Sequence, residues 1–297
     1  MPIIGHEKQW EFLRNAAKTG GFSHAYLFSG PTKLGKKKTA LEMISLLFGE
    51  DVEKTFQPDL VLITPAEKQI QIGQIRDLIR KLSLKPHSAP IKAAIIDQAH
   101  LMNQEAQTAF LKTLEEPKGR TILFLITEAP EYLFPTIISR VETIRFYPLR
   151  KEQIKKYLKD KGISEEKAEE VSEISGGKPG LALDLISSPE KIEYFREEIE
   201  KLNKISKSSI ATRFQYAKTL AENNNDIFET LDTWLNYFRT KIISIINSGN
   251  KLEIPTDKNY SLLKLKNILK LIQTTQFLIS RTNVNPRLAL EILMLEF

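Results

Sequence analysis

Cysteine is absent from this 297-residue chain. Disulfides and thiolate-bound metals are thereby excluded, including any four-cysteine zinc module. Histidine is scarce, and His6, His24, His87 and His100 are too scattered to suggest a metal site. No stretch approaches the roughly 18 apolar residues of a membrane span, so no membrane association is expected. The opening Met-Pro-Ile-Ile-Gly-His-Glu-Lys is too polar for a signal peptide. Together these absences fit a cytoplasmic setting. Internal repeats and low-complexity tracts are missing as well.

What remains is the composition of an ordinary globular protein, 41% hydrophobic and 27% charged, with length for two or three domains. The net charge of +6 leans toward a nucleic-acid partner, but a solvated Lys/Glu-rich surface accounts for it more simply. Three regions separate by pattern. Residues 1–149 alternate short apolar runs with helical patterns, the signature of a parallel sheet covered by helices. Strands are predicted at Ala25–Ser29, Leu60–Thr64, Ala93–Asp97, Ile122–Thr127 and Glu142–Phe146. Helices are predicted at Lys37–Phe48, Ile72–Leu82, Gln104–Glu115 and around Pro135–Ser139. Asn103 is placed to cap the third of these, and Pro117 to end it.

Pro148 marks the first boundary. Residues 150–188 read as a small helical unit, with Glu152–Lys161, a second helix from a Ser164 cap to Ile174, and a third from Pro179. Gly176-Gly177 ends the second helix, and Ser187-Ser188-Pro189 is the next break. Residues 189–297 read as helical throughout, with polar breaks at Asn223–Asn225, Ser248-Gly249-Asn250 and Ile254-Pro255-Thr256. Trp234, Leu235, Phe238, Ile242, Ile245 and Ile246 form a helical stripe suited to a core or a partner helix.

The chemistry is concentrated in the first region. Gly30-Pro31-Thr32-Lys33-Leu34-Gly35-Lys36 has the G-x-x-x-x-G-K spacing of a phosphate loop, between a predicted strand and a predicted helix. Gly30 and Gly35 allow backbone N–H groups to curl around a polyphosphate, and Lys36 is the lysine that reaches it. The next residue should be Ser or Thr, whose hydroxyl ligates magnesium. Here it is Lys37, whose ammonium has no lone pair to offer a metal. The run Ala93-Ala94-Ile95-Ile96-Asp97 ends a strand in an acid, the pattern that organises magnesium beside such a loop. Where an active ATPase normally has Glu, this chain has Gln98, a very poor base. Thr127 closes the next strand and is a candidate for contacting a terminal phosphate, though β-propensity alone also explains a threonine there. Ser139-Arg140 follows a short helix, and the arginine is suited either to a neighbour's nucleotide or to a surface pairing with a carboxylate such as Glu142.

These segments carry a resemblance. His24-Ala25-Tyr26-Leu27-Phe28-Ser29-Gly30-Pro31, Leu111-Lys112-Thr113-Leu114-Glu115-Glu116-Pro117, Ser139-Arg140 and Asn283-Val284-Asn285-Pro286-Arg287-Leu288-Ala289-Leu290-Glu291 occur in that order across nearly the whole chain. Together they resemble the bacterial clamp-loader branch of the AAA+ family. The resemblance implies an α/β plus all-α architecture: a RecA-like domain on a parallel five-stranded sheet (1–149), a small helical lid (150–188) and a C-terminal helical collar (189–297). It implies a cytoplasmic subunit of the bacterial replicative DNA polymerase III holoenzyme. Its partners would be the delta and gamma/tau subunits, the sliding clamp and, through the complex, primed DNA.

Active relatives carry a lid arginine in Gly-Ser-Leu-Arg, and the matching Gly177-Lys178-Pro179-Gly180 lacks it. With Lys37 and Gln98 this is a third departure from a hydrolytic site. The expectation is therefore a non-catalytic subunit whose arginine finger, Ser139-Arg140, acts in trans on a neighbouring ATP site. No cofactor is required and no zinc is expected. Gly30, Gly35 and Lys36 leave nucleotide binding open, while hydrolysis is not expected. The rival readings are an active gamma/tau-like ATPase and a DNA-binding adaptor outside the replicase.

Overall fold

A computed structural model describes residues 4–66, 68–117, 119–223, 227–247 and 261–297. Two compact units emerge, Met1–Leu149 with Lys178–Gly180, and Arg150–Gly177 with Leu181–Phe297.

The first unit is built on five parallel strands, β1 (Ala25–Ser29), β2 (Leu60–Ile63), β3 (Lys92–Ile96), β4 (Thr121–Thr127) and β5 (Glu142–Arg145), in the order β2-β3-β4-β1-β5. Its helices are α1 (Glu7–Thr19), α2 (Lys36–Phe48), α3 (Ile72–Ser83), α4 (Gln104–Glu115) and the single turn α5 (Pro135–Ile138). Every residue of β1, β3 and β4 is buried. That is why these strands read as unbroken apolar runs rather than alternating ones. Side chains of successive residues point to opposite faces of the sheet. Leu27 therefore joins Ile75, Leu78, Phe110 and Leu114 of α3 and α4 on one face. Tyr26 and Phe28 join Phe124, Leu13, Met43 and Ile44 with α1 and α2 on the other. Each such fully buried side chain contributes about 1.5–3 kcal/mol.

The α/β expectation holds, and so does the cap: the Asn103 side chain accepts from the Ala106 N–H at 2.8 Å. Several boundaries shift by a residue. β3 opens at Lys92 and closes before Asp97, and α2 begins at Lys36 rather than Lys37. Lys92 sits inside the sheet because the Asp59 carboxylate lies 3.5 Å from its ammonium. Helix α1 was not anticipated. Leu13 is its one fully buried side chain, with Trp10 and Ala17 half-buried on the same stripe, so its apolar signal is thin.

Asp59 is 1% exposed and accepts from the backbone N–H groups of His87, Ser88 and Ala89 at 2.8–3.0 Å. Burial by itself would raise the carboxyl pKa. The three N–H donors and the Lys92 ammonium outweigh it and hold the group at about 2, below its ordinary 3.8. A depressed pKa stabilises the fold above the unfolded value, and that contribution disappears as pH falls through the folded one. Asp59→Asn is therefore expected to cost about 2 kcal/mol at pH 7. Urea unfolding of both proteins should show this gap closing between pH 4 and pH 2. A gap that stays constant over that window would rule out the charge as its source.

The second unit is helical: α6 (Lys151–Asp160), α7 (Glu165–Ile174), α8 (Pro179–Ser187, whose first residues lie in the 178–180 segment), α9 (Glu190–Ser206), α10 (Ile210–Glu222), α11 (Ile227–Asn247), α12 (Leu262–Arg281) and α13 (Pro286–Leu295). Ser164 precedes α7 as expected but makes no side-chain cap, and Glu165 and Glu166 complement the positive end of the helix instead. The α11 stripe is core at Trp234 and Phe238, whose rings meet Phe297 at 5.5 Å and 5.7 Å. Leu235, Ile242 and Ile245 pack beside them, half-buried. Ile246 does not: it is 63% exposed, because a position twelve residues after Trp234 has rotated about 120° around the helix. The breaks expected at 248–250 and 254–256, and Asn224 and Asn225, lie outside the described residues. No described helix is long and apolar enough to cross a membrane.

Candidate functional site

The phosphate-loop sequence links the end of β1 to the start of α2, as that motif requires. Gly30 turns the chain with φ 139°, and its N–H donates to the Thr127 carbonyl at 3.2 Å. A Cβ there would lie 2.2 Å from the backbone oxygen of Phe146, so no other residue fits without moving the sheet edge. Gly35 caps α2 in the left-handed region, and the Thr39 hydroxyl donates to its carbonyl at 3.0 Å. That hydroxyl is thus committed to the helix and does not substitute for the one missing at position 37.

Lys36 is 6% exposed and folds back to donate to the carbonyls of Gly30 and Pro31. Burial pulls its pKa down to about 8, helped by the nearby Lys178 and opposed by Glu128 and Asp97. Lys37 reaches the acid: its ammonium lies 3.3 Å from Asp97 Oδ2. The other Asp97 oxygen accepts from the Gln98 backbone N–H at 3.1 Å. Gln98 itself is exposed and left-handed, with φ 53°. Thr127 is buried beside the loop, but its hydroxyl accepts from the Ala129 N–H at 3.0 Å and so caps the turn that follows β4.

The donor set does not suit magnesium. The hydroxyl ligand is replaced by an ammonium, and that ammonium already neutralises the one acid the motif supplies. Among the described residues, no group of three or more His, Cys, Asp or Glu side chains is arranged to hold a metal ion.

Residues outside the loop belong here as well. Lys178 is 5% exposed, and its charge acts on Lys36. Two residues on, the Gly180 N–H donates to the Lys33 carbonyl at 2.8 Å. A Cβ on Gly180 would stand 2.9 Å from that oxygen, so the close approach requires glycine. Glu128 also acts on Lys36 and lies with its carboxylate 3.6 Å from His100 Nε2. The sequence marked the Gly177-Lys178-Pro179-Gly180 stretch only for a missing arginine and stopped at Thr127, so the charges that Lys178 and Glu128 bring to Lys36 show only in three dimensions.

Ser139 and Arg140 form a separate cluster. The guanidinium Nη1 donates to the Thr136 carbonyl at 3.0 Å and to Ser139 Oγ at 3.2 Å. Its Nη2 lies 2.8 Å from Glu115 Oε1, so the carboxylate beside Arg140 is Glu115 and not Glu142. The side chain remains 36% exposed.

Comparison with known proteins finds relatives for this chain. Residues 5–150 match the family described as DNA polymerase III, delta subunit. A DNA polymerase III subunit delta' of Bacillus subtilis is 34% identical over 171 residues, which cover 52% of this chain and 51% of that one. The subunit delta' of Pseudomonas aeruginosa is 28% identical over 307 aligned positions, covering 93% of this chain and 92% of its own. The match thus spans about half of the first relative and more than nine-tenths of the second. Among solved structures, a gamma subunit-related protein of DNA polymerase III from Thermotoga maritima has a TM-score of 0.49 at 21% identity, over 95% of this chain and 97% of that one. Residues 5–150 are thus similar to the DNA polymerase III delta-subunit family, and nearly the whole chain is similar to a subunit delta'.

Proposed function

We propose that this chain is a clamp-loader subunit of the delta' kind in a bacterial replicative DNA polymerase III. In this role it assembles with delta and gamma/tau subunits in the cytoplasm and helps place the sliding clamp on primed DNA. It does not hydrolyse ATP itself, and it lends Arg140 to the ATP site of a neighbouring subunit. Division of its helical part into a lid (150–188) and a collar (189–297) belongs to the same reading, as does the lack of a zinc module. Gly30, Gly35 and Lys36 retain the means to hold a nucleotide, but no cofactor is needed for the role.

The observation that carries this reading is the 3.3 Å ion pair between Lys37 and Asp97. A hydrolytic site keeps its acid available to a metal, and here a lysine from the same loop occupies it. Gln98 supports the reading independently, since an amide cannot take a proton from an attacking water. Arg140, by contrast, stays partly exposed, at 36%.

The test is reconstitution with the gamma/tau and delta subunits of the same organism. ATP turnover, measured with clamp and primed DNA, should depend on this chain, while the chain alone should show only background turnover. Turnover by the isolated chain well above background would favour the active gamma/tau-like alternative. Failure to co-purify with those subunits would favour an adaptor outside the replicase.

A further inference from the structure

The Leu111–Pro117 segment has no functional role in the reading so far, yet the fold brings its Glu115 onto Arg140 of the Ser139-Arg140 pair. Glu115 ends α4, Arg140 follows α5, and they meet at 2.8 Å. We propose that Glu115 is the positioning residue for Arg140, holding the guanidinium in the orientation in which it meets a neighbour's nucleotide. The proposal rests on the trans-acting role given to Arg140 above.

Two hydrogen-bond acceptors and one charge surround the guanidinium: the Thr136 carbonyl and Ser139 Oγ at Nη1, and the Glu115 carboxylate in an ion pair at Nη2. Among the described residues, Glu115 is the one ion-pair partner of Nη2. An arginine carries five N–H donors in one plane, so the two hydrogen bonds fix one side of that plane, the carboxylate draws the other, and three donors remain for a phosphate. Thr136 and Ser139 lie within four residues of Arg140 and move with it. Glu115 sits on another helix and is therefore the contact that ties the guanidinium to the sheet unit as a whole. A side chain with several rotatable bonds delivers its charge best when its bound geometry is set in advance. Both partners are partly exposed, at 36% and 48%, so the pair is screened and its removal leaves the fold intact.

The experiment measures steady-state ATP turnover by the reconstituted clamp loader, with clamp and primed DNA, for Glu115→Ala, Glu115→Gln, Arg140→Ala and the double variant Glu115→Ala/Arg140→Ala. Glu115→Ala should lower kcat about fivefold, the order expected for a screened charge-assisted contact, with KM for ATP unchanged. Glu115→Gln removes the charge that pairs with Nη2 and should lower kcat by up to the same factor. The double variant should be no slower than Arg140→Ala, because Glu115 acts only through that arginine. An unchanged or faster rate in Glu115→Ala, an effect on KM alone, or a double variant slower than Arg140→Ala would each overturn the positioning role. A full rate in Arg140→Ala would instead overturn the trans-acting reading itself, whatever the glutamate variants do.

Discussion

Replacing Arg140 with alanine is expected, under the proposed trans-acting role, to lower ATP turnover by the assembled clamp loader about 10³-fold at the neighbouring site, the lower end of what such arginines contribute. The loss should fall on kcat. A guanidinium that meets the transferred phosphoryl group stabilises charge that develops in the transition state, and ground-state affinity for ATP changes little. Arg140→Lys should rescue poorly, because an ammonium is a point charge without the planar fork that engages two phosphate oxygens together. Within its own chain, Arg140 makes one screened ion pair and two hydrogen bonds near the surface. Its removal should therefore shift unfolding stability by less than about 1 kcal/mol. Assembly, followed by gel filtration, should be unaffected. A complex that forms normally and hydrolyses ATP at the full rate would leave Arg140 as a surface residue paired to Glu115.

The second large effect is expected from Lys37→Thr. In the native chain the Lys37 ammonium supplies the counter-charge to Asp97, so any nucleotide held by Gly30, Gly35 and Lys36 should bind with little regard for magnesium. Threonine removes that cation, frees the acid and restores a hydroxyl ligand at the position where the motif places one. Magnesium and nucleotide then become coupled ligands. Each should tighten the other by about tenfold or more, within the usual range for linked sites. Titration of a fluorescent ATP analogue with magnesium, and with EDTA in its place, reads this directly. The variant should show a magnesium dependence that the native chain lacks. Turnover should nonetheless stay at background, because Gln98 remains where a base is needed. A native chain that already binds ATP with strong magnesium dependence would mean that Lys37 yields its place readily, and the site would then be competent to hold a metal.

The sequence made the frame of the fold legible because the buried strands are nearly pure. Tyr26–Phe28 and Ile122–Ile126 contain no charge, so their ends are marked by the first polar residue on either side. Helix α4 is bounded by a local cap at Asn103 and by Pro117, both of which act over a few residues. Legibility failed where a boundary depends on something distant. Lys92 opens a buried strand only because Asp59 waits beside it. Helix α1 is amphipathic but mostly polar, and Leu13 is its one fully buried side chain. The same division runs through the site. Spacing alone picks out Gly30, Gly35, Lys36 and Asp97, and the misfit of Lys37 shows from its chemistry. That Lys37 and Asp97 are paired, that Lys178 keeps a buried charge near Lys36, and that Glu115 holds Arg140 are facts of three-dimensional proximity.

The order of the strands has a consequence for how the chain is made. β1 lies between β4 and β5, and Ser29 aligns with Thr127 on one side and Arg145 on the other. An interior strand of the sheet is thus the first of the five to leave the ribosome, and both of its neighbours are among the last parts of the unit to follow. At ordinary elongation rates, Tyr26 and Phe28 must wait on the order of ten seconds for partners. Through that interval a nascent chain carries an apolar segment with both hydrogen-bonding edges open, the kind of segment that chaperones bind and that aggregates when they do not.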